Sequence, residues 1–211
     1  MKKLLALSRV TFATLSSLLL TGCLLRTATV SPRHFVLAPA PIPDEPSSGP
    51  NSHLSVEVGF VKMPAYLRRD SIAVRTGPNE IQYLEDALWA ERLDQCFQRT
   101  LTVNLSRLLL SEKIAPMQSS PARAPGKLFV TVQQFDVDSD GHGTLIARWR
   151  LAEPGGNQSI RSGQIRLERV GVPPHGNPVA IARTMSDLTA QFSLELEQSI
   201  RGPVEVGIIS H

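Results

Sequence analysis

Four residues in the stretch DVDSDG, positions 136–141, have the types and spacing of a calcium loop. Asp136, Asp138, Asp140 and Gly141 match the first, third, fifth and sixth positions of an EF-hand, where alternate carboxylates and a sharp glycine turn wrap a hard cation in oxygen. The twelfth position, which needs a bidentate glutamate, is Ala147, and the flanking segments read as strands rather than helices. A solvated acidic hairpin turn is the expectation here, with no metal. The five histidines, His34, His53, His142, His175 and His211, do not lie three to five residues from one another or near Cys96, so no ligand pair is spelled out. No nucleophile elbow, P-loop or dinucleotide fingerprint occurs. Glu85, Asp86, Glu91 and Asp94 lie on or just before a helical segment, where carboxylates favour the positive N-terminal end. Nothing assembles an acid, a base and a nucleophile, so neither an enzyme nor a cofactor site is expected.

Two cysteines remain, Cys23 and Cys96. Cys23 closes a leader in which Lys2, Lys3 and Arg9 precede a mostly apolar run from Val10 to Leu20. That is the pattern of a secretory signal over residues 1–22, too short and wrongly flanked to span a membrane. The order Leu20-Thr21-Gly22-Cys23 resembles the bacterial lipobox, in which cleavage before the cysteine is followed by lipid attachment to its thiol and acylation of its new amino group. One acyl chain holds a protein only marginally, at about 0.8 kcal/mol per buried CH₂, whereas a multiply acylated cysteine stays attached. The alternative is an ordinary cleaved signal that happens to contain a cysteine; position, order and flanks favour lipidation. Cys96 then has no partner, which excludes a disulfide-stapled domain. It reads as a small buried hydrophobe rather than a reactive thiol.

The leader also accounts for the formal charge of +3. Setting aside its three basic residues leaves 19 basic against 19 acidic residues in the mature chain. No electrostatic case for nucleic-acid binding survives.

These residues need elements to position them. Residues 23–53 form a lipidated N-terminus with a candidate first strand, HFVLAP (34–39), and a proline-rich loop holding five prolines between 38 and 52. Residues 24–34, fully extended, reach about 36 Å, which keeps the folded part close to the bilayer. Residues 54–203 are expected to form one domain, with 204–211 as a tail. Leu54, Val56, Val58 and Phe60 alternate with Ser55, Glu57 and Gly59, the pattern of a half-buried strand. SIAVRT (71–76) and EIQYLE (80–85) read as strands around the turn GPN. Trp89, Leu93, Phe97, Leu101 and Leu105, joined by Leu108 and Leu109, place one apolar stripe on a helix of about 24 residues. Three strands follow in KLFVTVQQF, TLIARWRL and SGQIRLERV, joined by the hairpin turns DSDGHG and EPGGNQ. A last helix opens at Asn177 as N-cap with Pro178 first inside it, carries Ile181, Met185, Leu188, Phe192 and Leu196 inward, and ends at Gly202-Pro203. The expected fold class is α+β: a two-layer domain, an antiparallel sheet with two long helices packed on one face.

The block MPAYLRRDSIAVRTGPNEIQYLEDALWAERLDQCFQRTLTVNLSRLL (63–109) resembles the PqiC family, lipoprotein auxiliary components of ABC- and MCE-type envelope lipid transport systems. Pro64, Tyr66 and Leu67 match its Pro-x-Tyr-Leu start. The strand with Arg75, the turn with Asn79, the Trp-Ala-Glu-x-Leu run at Trp89, Ala90, Glu91 and Leu93, and the Asn-Leu pair Asn104-Leu105 match the rest. Arg69-Asp70 stands where the family often has Arg-Pro, and Arg92 where proline is common; these departures blur the subfamily. The resemblance implies a periplasm-facing lipoprotein at the outer membrane, consistent with Leu24 where an aspartate would retain it at the inner membrane. It further implies that the protein docks an MCE-domain membrane protein forming a conduit for phospholipid or other hydrophobic cargo. Tyr66, Arg75, Asn79 and Glu91 are its candidate partner-binding residues, with turn stabilisation as the alternative. Pro64, Leu67, Trp89, Leu93, Asn104 and Leu105 read as structural, and self-association is left open. A carrier of apolar ligand is the competing function, and would require an apolar cavity of roughly 300–1,000 Å³. A periplasmic hydrolase would require a polar cleft that the residues do not announce.

Overall fold

The computed structural model describes residues 31–41, 56–109, 115–116, 126–153, 158–174 and 177–201. Cys23, residues 154–157 within the turn EPGGNQ, the helix stop at Gly202-Pro203 and the tail 204–211 lie outside them. The strands are β1 (Arg33–Phe35), β2 (Val56–Lys62), β3 (Ser71–Gly77), β4 (Glu80–Trp89), β5 (Ala115–Pro116), β6 (Gly126–Asp138), β7 (His142–Ala152) and β8 (Ser159–Val170). A single 3₁₀ turn spans Ala65–Arg68; the helices are α1 (Leu93–Leu108) and α2 (Pro178–Arg201).

The fold is α+β, but the sheet is mixed rather than antiparallel. Antiparallel pairing holds between chain neighbours joined by short turns: β3 with β4, β6 with β7, β7 with β8. Parallel pairing joins distant segments: β1 to β4 with Arg33 opposite Ala87, β2 to β6 with Val56 opposite Gly126, and β3 to the end of β6 with Val74 opposite Val137. Short turns dictate direction only between consecutive strands; these longer crossovers carry no such mark. β6 is the axis of the sheet. β7 lines one of its edges throughout, while β2 and β3 share the other, β2 beside 126–131 and β3 beside 137–138.

The expected 24-residue helix is shorter. Trp89 belongs to β4, and α1 begins at Leu93. Ala87 and Trp89 are buried at strand spacing, and the Trp89 amide donates to the Asp70 carbonyl at 2.6 Å. Arg92 then takes an extended conformation at the N-cap position (φ −52°, ψ 134°). Spacing of four between Trp89 and Leu93 thus continues the apolar stripe across a break between two elements. α2 opens as expected: Asn177 Oδ1 accepts the Val179 amide at 3.1 Å, satisfying a donor the helix leaves unpaired, with Pro178 at the first helical position.

Phe60 does not share the buried face of Val56 and Val58. The register shifts between Val58 and Val61, an irregularity that brings Val61 into the core and leaves Phe60 57% exposed. α1 packs on β2, α2 on β6, β7 and β8, and the helices touch each other. Phe97 meets Phe135 edge-on, centroids 5.4 Å apart at 79°, and Phe192 at 5.8 Å. The compact unit takes in β1 and the segment after it, beginning at Pro32 rather than at residue 54, and Leu37 is fully buried in the common core.

Candidate functional site

Two polar constellations gather most of the residues singled out by motif. The first is centred on Asp136. The spacing of Val132 to Phe135 marks a register shift in β6, after which Phe135 and Val137 face the core and Gln134 and Asp136 the other side. Asp136 is only 2% exposed, so it is not the solvated turn residue expected from DVDSDG. Its carboxylate accepts four hydrogen bonds: from Tyr66 Oη at 2.7 Å, Arg75 Nε at 3.0 Å, Arg75 Nη2 at 2.7 Å and Gln134 Nε2 at 3.0 Å. The Arg75 fork is bidentate, the strongest geometry for such a pair. Burial pushes the Asp136 carboxyl up, but the bonds from Arg75, Gln134 and Tyr66 outweigh it and hold it below the usual carboxylate range. Burial, and then the Asp136 carboxylate, push the Tyr66 phenol far above its ordinary value, so Tyr66 is a fixed donor and not an acid.

This cluster ties three elements together. Tyr66 sits on the 3₁₀ turn that follows Pro64, whose carbonyl accepts the Leu67 amide at 3.1 Å; Leu67 is buried beneath it. Arg75 comes from β3 and Asp136 from β6. Tyr83 of β4 donates to the Tyr66 carbonyl at 3.2 Å, with the Arg69 guanidinium 4.4 Å over its ring. Arg75 Nη1 also donates to Pro78, in the β3–β4 turn whose exposed tip carries Asn79. The Asp138 carboxylate accepts the Asp140 and His142 amides at 2.9 and 2.8 Å, so the turn spends it on its own backbone. Asp138, Asp140 and the His142 ring bring two carboxylates and an imidazole within 4.8 Å of one another there, and Asp136 faces away from them toward Arg75.

The second constellation clamps the segment after β1. The Leu37 amide lies 3.0 Å from Cys96 Sγ, and its carbonyl accepts Thr100 Oγ1 at 3.2 Å. The Ala38 amide donates to Ser186 Oγ at 3.0 Å, and the Ala40 amide to Asn104 Oδ1 at 2.8 Å. Asn104 Nδ2 reaches across to Ser193 Oγ at 3.1 Å, joining α1 to α2. Arg107 Nη1 donates to the Ala40 carbonyl. Residues 36–41 are thus a strap held by one face of each helix. Cys96 is fully buried, and desolvation, followed by the nearby Glu91, pushes its thiol up, the opposite of an activated thiolate. Arg99 donates to Glu91 Oε1 at 2.9 and 2.6 Å and to Cys96 Sγ at 3.5 Å. Both charged groups of that pair are about a third or more open to water, which limits it to about 0–1 kcal/mol.

Of the motif residues, Tyr66 and Arg75 meet through Asp136, Glu91 meets Arg99, and Asn79 stands apart in the β3–β4 turn. Trp89, Leu93 and Leu105 are core, and Asn104 is the buried bridge between the helices. Gln134, Arg99, Ser186 and Ser193 were not marked by sequence. Gln134 lies two residues before Asp136, and strand alternation puts both on one side of β6.

Residues 35–197 match the family model described as ABC-type transport auxiliary lipoprotein component. The intermembrane transport lipoproteins PqiC of Escherichia coli K12 and of Shigella flexneri are each 26% identical over 188 residues, covering 89% of this chain and 95% of theirs. A solved structure of an uncharacterized protein aligns with TM-score 0.64 at 23% identity, over 81% of this chain and 99% of that one. XCC0632 from Xanthomonas campestris aligns with TM-score 0.61 at 18% identity, over 78% and 90%. These two likenesses concern the fold.

Proposed function

The chain belongs to the family of ABC-type transport auxiliary lipoprotein components, and on that footing we propose that it is the outer-membrane docking subunit of an intermembrane lipid transport system. In this reading Cys23 carries the acyl anchor in the inner leaflet of the outer membrane. The folded domain faces the periplasm and receives the end of a conduit built by an MCE-domain membrane protein. The observation that carries it is the conjunction of a lipobox at Cys23 with a family match running through 35–197.

The domain is non-catalytic in this account. Asp136, the most buried carboxylate of its kind here, is saturated by donors, and Cys96 is a sealed thiol; both serve to hold elements together. What they hold is a rigid platform: the 3₁₀ turn, β3 and β6 on one side, the strap and the helix pair on the other. Rigidity suits docking, because a preformed surface loses little freedom on association. The larger hollows are open rather than enclosed, which disfavours the carrier alternative. The 470 Å³ groove between Val170 and Arg183, flanked by the Arg169–Asp187 ion pair, and the 390 Å³ hollow along Val36, Pro39 and Ala182 reach ligand size but stand open to solvent, and the hollow beside Ala40, Asn104 and Leu194 holds only about 120 Å³.

The test is recovery of partners. The acylated protein is purified from envelope membranes after mild crosslinking and its companions are identified by mass spectrometry. An MCE-domain protein is expected among them; the protein emerging alone, or a mature N-terminus without fatty acid, would overturn the reading.

A further inference from the structure

Charge is balanced over the mature chain but not over the sheet. On the face turned away from the core, Lys62 of β2, Thr131 of β6 and Arg148 of β7 are successive register partners in one row; Phe129 and Arg150 are partners in the next. Their neighbours Val130, Ala147 and Trp149 are buried in the core, so strand alternation aims this set outward. Phe60, Lys62, Phe129, Thr131, Arg148 and Arg150 line a depression of about 230 Å³ that no acidic residue lines. The Arg150 guanidinium stacks 4.5 Å from the Phe129 ring centroid. Arg148 Nε donates to the neutral Gln164 Oε1 at 3.1 Å, which leaves its charge uncompensated by that contact. Of the acids on the same face, Asp136 is paired with Arg75 and Glu168 with Arg166, while Glu57 stands opposite Lys127, one row beyond the depression, and does not line it. Phe60 stands beside the cations more than half exposed.

We propose that this face is a contact for an anionic phospholipid bilayer, with lipid headgroup phosphates drawn to Lys62 and Arg148 and Phe60 entering the interfacial layer. Three features point to a bilayer rather than an acidic protein segment. The depression is shallow and takes one headgroup rather than a run of side chains. An exposed aromatic flanked by cations on long aliphatic stems is the composition that settles at a membrane–water boundary. The anchor, on the functional reading above, keeps the domain within about 36 Å of such a surface, so even a weak contact is populated at high effective concentration. Each basic residue near an anionic surface strengthens binding roughly fivefold, and the two together roughly twenty-five-fold.

The experiment uses the mature chain with Cys23→Ala, which removes acylation, in flotation with vesicles of phosphatidylethanolamine and phosphatidylglycerol and, separately, of phosphatidylcholine alone. Binding to the anionic vesicles, weakened by salt and absent on the neutral ones, is the expected result. The variant Lys62→Gln/Arg148→Gln, checked for an unchanged circular-dichroism spectrum, should lose binding by roughly twenty-five-fold. Phe60→Ser, an exposed position that does not endanger the core, should weaken it while leaving the salt dependence in place. Arg169→Gln/Arg183→Gln, in the groove beside α2, should not change it. Equal binding to neutral vesicles, loss with the α2-groove variant instead, or retention of soluble poly-glutamate but not of vesicles would each overturn the proposal. No transport partner is present in this assay, so its failure is distinguishable from failure to recover an MCE-domain protein.

Discussion

Replacing Arg75 by methionine tests whether the Asp136 cluster is the joint that fixes the 3₁₀ turn against the sheet. The change keeps an aliphatic stem of similar reach and removes two hydrogen bonds, from Nε and Nη2, to a carboxylate that is 2% exposed. Removing one partner of a buried ion pair costs about 3–5 kcal/mol, because the remaining charge is stranded. Arg75 is itself about a quarter exposed, and Tyr66 and Gln134 still donate, so the low end applies: about 3 kcal/mol at neutral pH. For a chain of this size that corresponds to a fall in melting temperature of roughly 6–12 °C. Urea unfolding followed by tryptophan fluorescence measures it. The sign with pH is a second readout. In the wild type the Asp136 carboxyl is held below its ordinary 3.8, so its contribution is present above that value and is lost as the pH falls through the lowered one. Without Arg75 burial dominates, and the carboxyl takes up a proton more readily than in an unfolded chain. The gap between the two proteins therefore narrows on acidification. A difference under about 1 kcal/mol at neutral pH, or one that does not shrink in acid, would refute the stranded-charge argument.

Three further outcomes follow from the clamp and the packing. Asn104→Ala removes the bridge from Ala40 to Ser193 and should cost about 2–3 kcal/mol, with faster amide exchange at Ala40. The folded protein should react with a thiol reagent at Cys96 only as fast as it opens, and urea should release the reaction; rapid labelling of the native state would contradict the sealed thiol. Gly143→Ala would place a methyl 2.6 Å from Thr184 Cγ2 and 2.8 Å from Leu188 Cδ1, where α2 lies closest to β7. A loss of about 1–3 kcal/mol is expected, partly restored by adding Thr184→Ala, as measured by thermal melts of the single and double variants.

Local signals in the chain were read correctly where the physics is local. Alternation over Leu128–Val132 and Leu145–Leu151, and the Asn177-Pro178 cap, each declare an element within a few residues. The errors arose where the deciding contact is remote. Nothing near Val56 announces that it will lie beside Gly126, so the parallel pairs were missed. Trp89 fits a helical stripe and a strand face equally well, and the Asp70 carbonyl settles which. Asp136 reads as part of a solvated acidic turn because its neighbours are acidic; its actual partners, Tyr66 and Arg75, lie more than sixty residues upstream. Tyr66 and Arg75 were visible through the family motif, though what they share was not.

The axial place of β6 has a consequence for how the chain acquires its shape. β2 and β3, with Val56, Val58, Ile72 and Val74 among their core residues, are synthesised well before Gly126–Asp138 exists to receive them. Until that segment arrives, β3 has only its hairpin partner β4 and β2 lacks its long partner, and parallel closure over so long a loop is slow. The apolar face of β2 therefore needs shielding from aggregation until β6 is made. Closure of the sheet around its axis is the work of the second half of the chain.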